Sequence, residues 1–167
     1  MTDIEAVMRK HRRSGLLVDS NLLLLFLVGR IDRGRISAFK RTQAYTLADF
    51  ELVSRIYKFF PRCWTIPQIL TEVSNLGGQL WGAGLQKFRS SLAELVKVID
   101  ERYISSRQIT SHDSFARLGI TDAGLALLST DGPLLLTDDL PLYDFVARRR
   151  IDVINFNHLR TSNWRLR

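Results

Sequence analysis

The stretch Gly15–Gly29, GLLVDSNLLLLFLVG, constrains this chain most. Leu16-Leu17-Val18 is a short apolar run of the kind buried on both faces of a parallel sheet. It stops at Asp19-Ser20-Asn21, and apolar residues resume from Leu22 to Val28. A carboxylate between two apolar runs is costly to bury unless it is paired or holds a metal. The stretch therefore predicts a buried strand ending at Asp19 and a helix starting just after it. Open parallel sheets place their ligand sites at that end of the strands. A plainer role for Asp19 or Ser20 is to cap the helix. The three polar residues and the short apolar segment argue against a membrane span, which needs about 20 apolar residues.

Strands and helices alternate along the rest of the sequence. Thr2-Asp3-Ile4-Glu5 has capping-box spacing, predicting a helix to about Arg12. Gly29–Tyr45 is basic and irregular and reads as a loop. Thr46 caps a helix over Leu47–Phe60, and Cys63–Ile66 is a second strand. Pro67 opens a helix that Gly77-Gly78 closes. Leu85–Ile99 reads as a helix, Tyr103-Ile104 as a strand and Ser105–Leu118 as a helix. Gly119–Ala123 is a turn into a helix capped by Thr121, which runs to about Leu128. Leu134–Thr137 is a buried strand, Leu142–Arg150 a helix, Ile151–Phe156 a last strand, and a basic tail follows from His158. This order predicts an α/β domain, a mainly parallel sheet flanked by helices. A chain of 167 residues fits one domain over 1–167, with its core at about 15–157.

Net charge is +7 and the pI is near 10.1, which favours a polyanionic partner. The arginines at 30, 33 and 35, the run Arg148-Arg149-Arg150, and the tail arginines 160, 165 and 167 are the candidate phosphate contacts. Cys63 is the single cysteine, so there is no intrachain disulfide and no cysteine metal motif, in keeping with a reducing cytoplasm. His11, His112 and His158 have no ligand spacing. The tryptophans at 64, 81 and 164 read as packing residues.

Acids recur at equivalent places. Asp19 ends the first strand, Glu72 lies on the helix after the second, Asp122 opens a helix, and Asp138-Asp139 ends the Leu134–Thr137 strand. Singly each has an ordinary explanation as a cap, a first-turn acid, an exposed helix residue or a turn. Together, on parallel strands, they would meet at one edge. Clustered carboxylates raise one another's pKa unless a cation neutralises them. Oxygen-only ligands select Mg²⁺ or Mn²⁺, ions suited to phosphodiester hydrolysis.

Four segments in order, Leu17-Val18-Asp19-Ser20-Asn21, Ile69-Leu70-Thr71-Glu72-Val73, Leu118-Gly119-Ile120-Thr121-Asp122-Ala123 and Leu135-Leu136-Thr137-Asp138-Asp139, resemble the PIN-domain nucleases. The resemblance covers roughly Gly15 to Asn157. It implies a Rossmann-like three-layer fold and a Mg²⁺- or Mn²⁺-dependent ribonuclease, with Asp19, Glu72, Asp122 and Asp139 as catalytic, metal-binding acids. Asn21, Thr137 and Asp138 would support them. It also carries RNA, a second copy of the chain and, since many small bacterial members are toxins, an antitoxin protein as partners. The segment from Arg30 to Phe60 is longer than in the compact toxins, and the fourth position is a double acid. Of that pair, the resemblance points to Asp139, two positions after Thr137, as the acid facing Asp19 and Asp122. Since successive extended residues point to opposite sides, Asp138 is expected to stand aside or cap the turn. Two rivals remain: a non-catalytic nucleic-acid- or protein-binding module, against which the four intact acids argue, and a small-phosphate esterase. The esterase would favour Asp-x-Asp after the first strand, where this chain has Asn21.

Overall fold

A computed structural model describes residues 4–161. Its centre is β1 (Leu16–Val18), which pairs in parallel with β2 (Cys63–Thr65) on one side and β4 (Leu134–Thr137) on the other. β3 (Asp100–Glu101) lies beyond β2 and β5 (Val153–Asn155) beyond β4, giving the order β3-β2-β1-β4-β5 with every pairing parallel. β1 and β4 are buried along their whole length, as their unbroken apolar runs require when helices cover both faces.

Ten helices flank the sheet among the described residues: α1 (Ile4–Lys10), α2 (Ser20–Ile31), α3 (Arg35–Ala38), α4 (Leu47–Phe59), α5 (Pro67–Gly77), α6 (Ala83–Val96), α7 (Ser106–Ser111), α8 (Phe115–Ser129), α9 (Leu140–Arg148) and α10 (Phe156–Thr161). α2 is apolar all round because it is covered all round. It packs against α4, α5 and α6, and every residue from Leu22 to Gly29 is buried. α8 packs against both α7 and α9, and α8 and α9 also pack against β4. No helix among the described residues is long and apolar enough to cross a membrane.

Several boundaries differ from the sequence reading, each for a physical reason. The segment read as a loop from Gly29 holds the last turn of α2 and all of α3, because Ile36 is buried and Thr42 bonds its hydroxyl to the Ile36 carbonyl at 2.8 Å. The third strand is Asp100–Glu101, set by pairing with Trp64 and Thr65, while the apolar Tyr103 is 78 % exposed. The helix expected over Ser105–Leu118 breaks after Ser111. α8 starts at Phe115 and is kinked at Gly119 (φ 77°, ψ −179°), where a cap at Thr121 was expected. α9 begins at Leu140, two residues early, and Phe156–Thr161 is a helix. Trp164, Arg165 and Arg167 lie outside the described residues.

His11 makes a tie the sequence reading did not assign. Its ring nitrogens lie 2.8 Å from the Gly132 carbonyl and 2.8 Å from Asp152, which Lys10 also pairs at 2.6 Å. The end of α1 is thereby clamped to the turns before β4 and β5.

α5 and α6 meet at Gly77, where a Cβ would stand 2.0 Å from the buried Phe88 ring. Gly77→Ala should therefore force the ring aside and cost about 1–3 kcal/mol despite the better helix propensity of alanine. Chemical denaturation measures it, and an unchanged or raised stability would place Phe88 elsewhere.

Candidate active site at the carboxyl edge of the sheet

Asp19 follows β1 directly and is the N-cap of α2. One carboxylate oxygen accepts from the Leu22 N–H at 2.9 Å. The other accepts from the Thr137 hydroxyl at 2.6 Å and the Asp138 N–H at 2.8 Å. The capping role and the meeting of the strand ends are thus the same fact: this carboxylate starts α2 and ties the end of β1 to the end of β4. It is only 4 % exposed. Burial raises its pKa well above the ordinary carboxylate value, and the neighbouring charge of Asp138 adds to this, against the hydrogen bonds from Thr137, Leu22 and Asp138.

The turn after β4 divides its two acids. The Thr137 hydroxyl accepts from the Asp139 N–H at 3.0 Å, and the Asp139 carboxylate accepts from the Leu142 N–H at 2.6 Å. Asp139 is therefore the cap, and the expectation that Asp138 would cap the turn is corrected. The reason is that α9 starts at Leu140, which makes residue 139 its N-cap. Asp138 does not stand aside either. Its carboxylate accepts from the Tyr45 hydroxyl and, at 3.4 Å, from Asn21 Nδ2, and its carbonyl accepts from Asn157 Nδ2 at 2.9 Å. Burial, then the Asp138 charge, pushes the Tyr45 hydroxyl far above its ordinary pKa, so it stays a donor.

Glu72, on α5, accepts from the Ser20 hydroxyl at 2.9 Å. Asp122 lies three residues beyond the Gly119 kink, in the first turn of the straight part of α8, and accepts no hydrogen bond from the described residues. Its pKa rises from 3.8 to about 7, through burial first and then the charges of Asp139, Glu72 and Asp138. Carboxylates from α5, α8 and the β4–α9 turn thus share one electrostatic neighbourhood beside the Asp19 anchor. Tyr45, Ser20 and Asn157 also belong to it and were missed. Tyr45 fell inside the presumed loop, and no local pattern marks a hydroxyl that reaches across to residue 138.

Among the described residues no group of three or more His, Cys, Asp or Glu side chains is arranged to hold a metal ion. The edge is not a closed protein cage. Its donors are all carboxylate oxygens, which suit a hard ion that keeps most of its waters and takes one or two carboxylates. Comparison of the chain with family models, curated proteins and solved structures returns no match.

The candidate phosphate contacts are dispersed. Arg149 stacks 3.5 Å over the Phe145 ring and pairs with Asp113, so it is engaged within the fold. Arg148 and Arg150 are exposed beside it, with Arg150 at φ 58°. Arg35 lies 3.5 Å from Asp32, and Arg33 lies 3.7 Å from Glu51. Arg30 sits 5.5 Å over Phe26.

The Asp122 shift gives a signed pH dependence. The folded carboxyl holds its proton to about pH 7, whereas the ordinary value is 3.8. Between those values the folded state binds more protons, so the contribution of Asp122 to stability is full at low pH and is lost as pH rises through 7. Thermal melts in EDTA should show Asp122→Asn gaining on wild type between pH 5 and pH 8. A constant difference between the two proteins would mean that Asp122 does not face the other acids.

Proposed function

We propose that this chain is a divalent-metal-dependent ribonuclease of the PIN-domain type, hydrolysing RNA phosphodiester bonds at the carboxyl edge of its sheet. The observation that carries the reading is the convergence of Asp122 with Glu72 of α5 and the Asp138-Asp139 turn after β4, groups close enough that their charges, after burial, raise the Asp122 pKa. Acids that repel one another at a strand edge are a standing cost that a cation relieves. The all-parallel sheet and the ordered sequence motifs support the same reading.

The hydrogen bonds divide the labour. Asp19 accepts three hydrogen bonds and so fixes the geometry of the edge, with one acceptor site on the oxygen facing Leu22 left for a cation. Asp122, the second oxygen of Asp139 and the second oxygen of Glu72 carry no hydrogen bond from the described residues, so it is from among these that the one or two carboxylates holding Mg²⁺ or Mn²⁺ would come. The ion supplies an activated water and neutralises charge on the leaving oxygen. Thr137 fixes the Asp139 backbone, Ser20 fixes Glu72, and Asn21 and Tyr45 hold Asp138 beside them.

One observation favours a second reading, a nucleic-acid-binding module without catalysis: no three side chains stand ready as a metal group among the described residues. The two readings separate in one assay. With single-stranded RNA and Mg²⁺ or Mn²⁺, the wild type should cleave, and Asp122→Asn or Glu72→Gln should lose about 100-fold or more while remaining folded. RNA bound but uncut by the wild type under any divalent ion would leave the binding module. Asp19→Asn is a poorer probe. An amide leaves one of the three donors facing Asp19 without an acceptor, which should cost about 1–3 kcal/mol of stability as well as activity.

A further inference from the structure

A groove of about 1000 Å³ lies between α2, α4 and α10, on residues the acidic site does not use. Its charge is lopsided. Of its two acids, Asp49 is taken by Arg160 at 2.9 Å and by the capping box of α4, and Glu51 faces Arg33 at 3.7 Å. Arg30, Arg55 and Lys58 also line it, and none has an acidic partner among the described residues. Three uncompensated cations in one concave surface call for an anionic ligand.

The floor of the groove is aromatic. The rings of Phe26 and Tyr57 stack at 4.5 Å and 21°, with the Arg30 guanidinium above Phe26. Phe26 is 5 % exposed and is covered by Tyr57 and Arg30, so the ring left to meet a base is the partly buried Tyr57. Cations beside such a ring are the chemistry of a single-stranded nucleic-acid site, in which phosphates meet charge and a base meets a ring.

One lining residue, Arg160, links the groove to the acidic edge. Arg160 bonds Asp49 on the groove side and the Ala44 carbonyl at 3.1 Å, and its guanidinium lies 5.5 Å from the Tyr45 ring. The Tyr45 hydroxyl donates to Asp138. Arg160 and Tyr45 thus join the α10 side of the groove to Asp138 through side-chain contacts.

We propose that the groove between α2, α4 and α10 is the track that holds single-stranded RNA beside the acidic edge. The choice of RNA rests on the nuclease reading; the charge of the groove does not. An acidic peptide would match the charge but not the aromatic floor.

The test is binding by the full-length Asp122→Asn protein in EDTA, which keeps any cleavage out of the measurement. The probe is a labelled oligouridylate of about 12 nucleotides, with affinity followed by anisotropy over a range of salt. Arg55→Ala with Lys58→Ala, both exposed on α4, should weaken binding about tenfold and lower the salt slope by about 1.4, two contacts at about 0.7 each. Arg62→Ala with Lys97→Ala removes the same charge beside β3 and should leave the slope unchanged. Equal slopes for all three proteins, or displacement of the RNA by polyglutamate of equal length at equal concentration, would overturn the track. The nuclease reading fails separately. Wild type that binds RNA with the Arg55- and Lys58-dependent slope but never cuts it keeps the groove and loses the catalysis. Cleavage with an unchanged slope does the reverse.

Discussion

The buried carboxylate of Asp19 is the contact on which the arrangement turns. Three donors converge on its two oxygens: the Leu22 amide that opens α2, the Thr137 hydroxyl that ends β4, and the Asp138 amide in the next turn. Without them β1 and β4 would still pair, but the start of α2 and the turn after β4 would lose the acceptor they share. The next step out is a relay: Thr137 accepts from the Asp139 amide, and Asp139 in turn starts α9. One buried acid thereby sets the start of two helices and the turn that carries two further acids. Burying it is expensive, as its raised pKa records, and the fold meets that cost with hydrogen bonds rather than with an opposite charge.

A division between support and chemistry follows from this geometry. Among the acids of this edge, Asp19 and Asp138 carry the most hydrogen bonds, through Leu22, Thr137, Tyr45 and Asn21. Asp122 stands at the other extreme, half-buried, without a hydrogen bond from the described residues and under the charges of its neighbours. Such a group is unstable as an anion in isolation and is stabilised by whatever cation or proton arrives. The Gly119 kink contributes directly, since it begins a fresh helical segment three residues before Asp122 and places that acid in a first turn.

Much of this was readable from the sequence where a local signal and the tertiary answer agree. Leu16–Val18 and Leu134–Thr137 are apolar runs bounded by polar turns, and both are strands with the expected carboxyl-end acids. Pro67 and Thr46 open their helices as their chemistry dictates. The failures are non-local. β3 is two polar residues selected by pairing with β2, so the more strand-like Tyr103-Ile104 misled. The turn of Asp138 and Asp139 depends on where α9 starts, and two residues of error exchange the capping role. The basic run at 148–150 stood out in sequence, yet Arg149 is spent on Asp113 and Phe145. Arg55 and Lys58, unremarkable on α4, gain meaning only when the fold sets them across from Arg30.

The central claim is that carboxylates from separate segments face one cation-accepting space. Paramagnetic broadening of amide NMR signals by substoichiometric Mn²⁺ tests this without reference to activity. The account predicts that the first signals lost belong together to Asp19–Asn21, the turn of α5 at Glu72, Ile120–Ala123 and Asp138–Leu140, and that Asp122→Asn weakens the effect at all of them. Broadening confined to exposed acids such as Glu94 and Glu101, with these four segments unaffected, would contradict it.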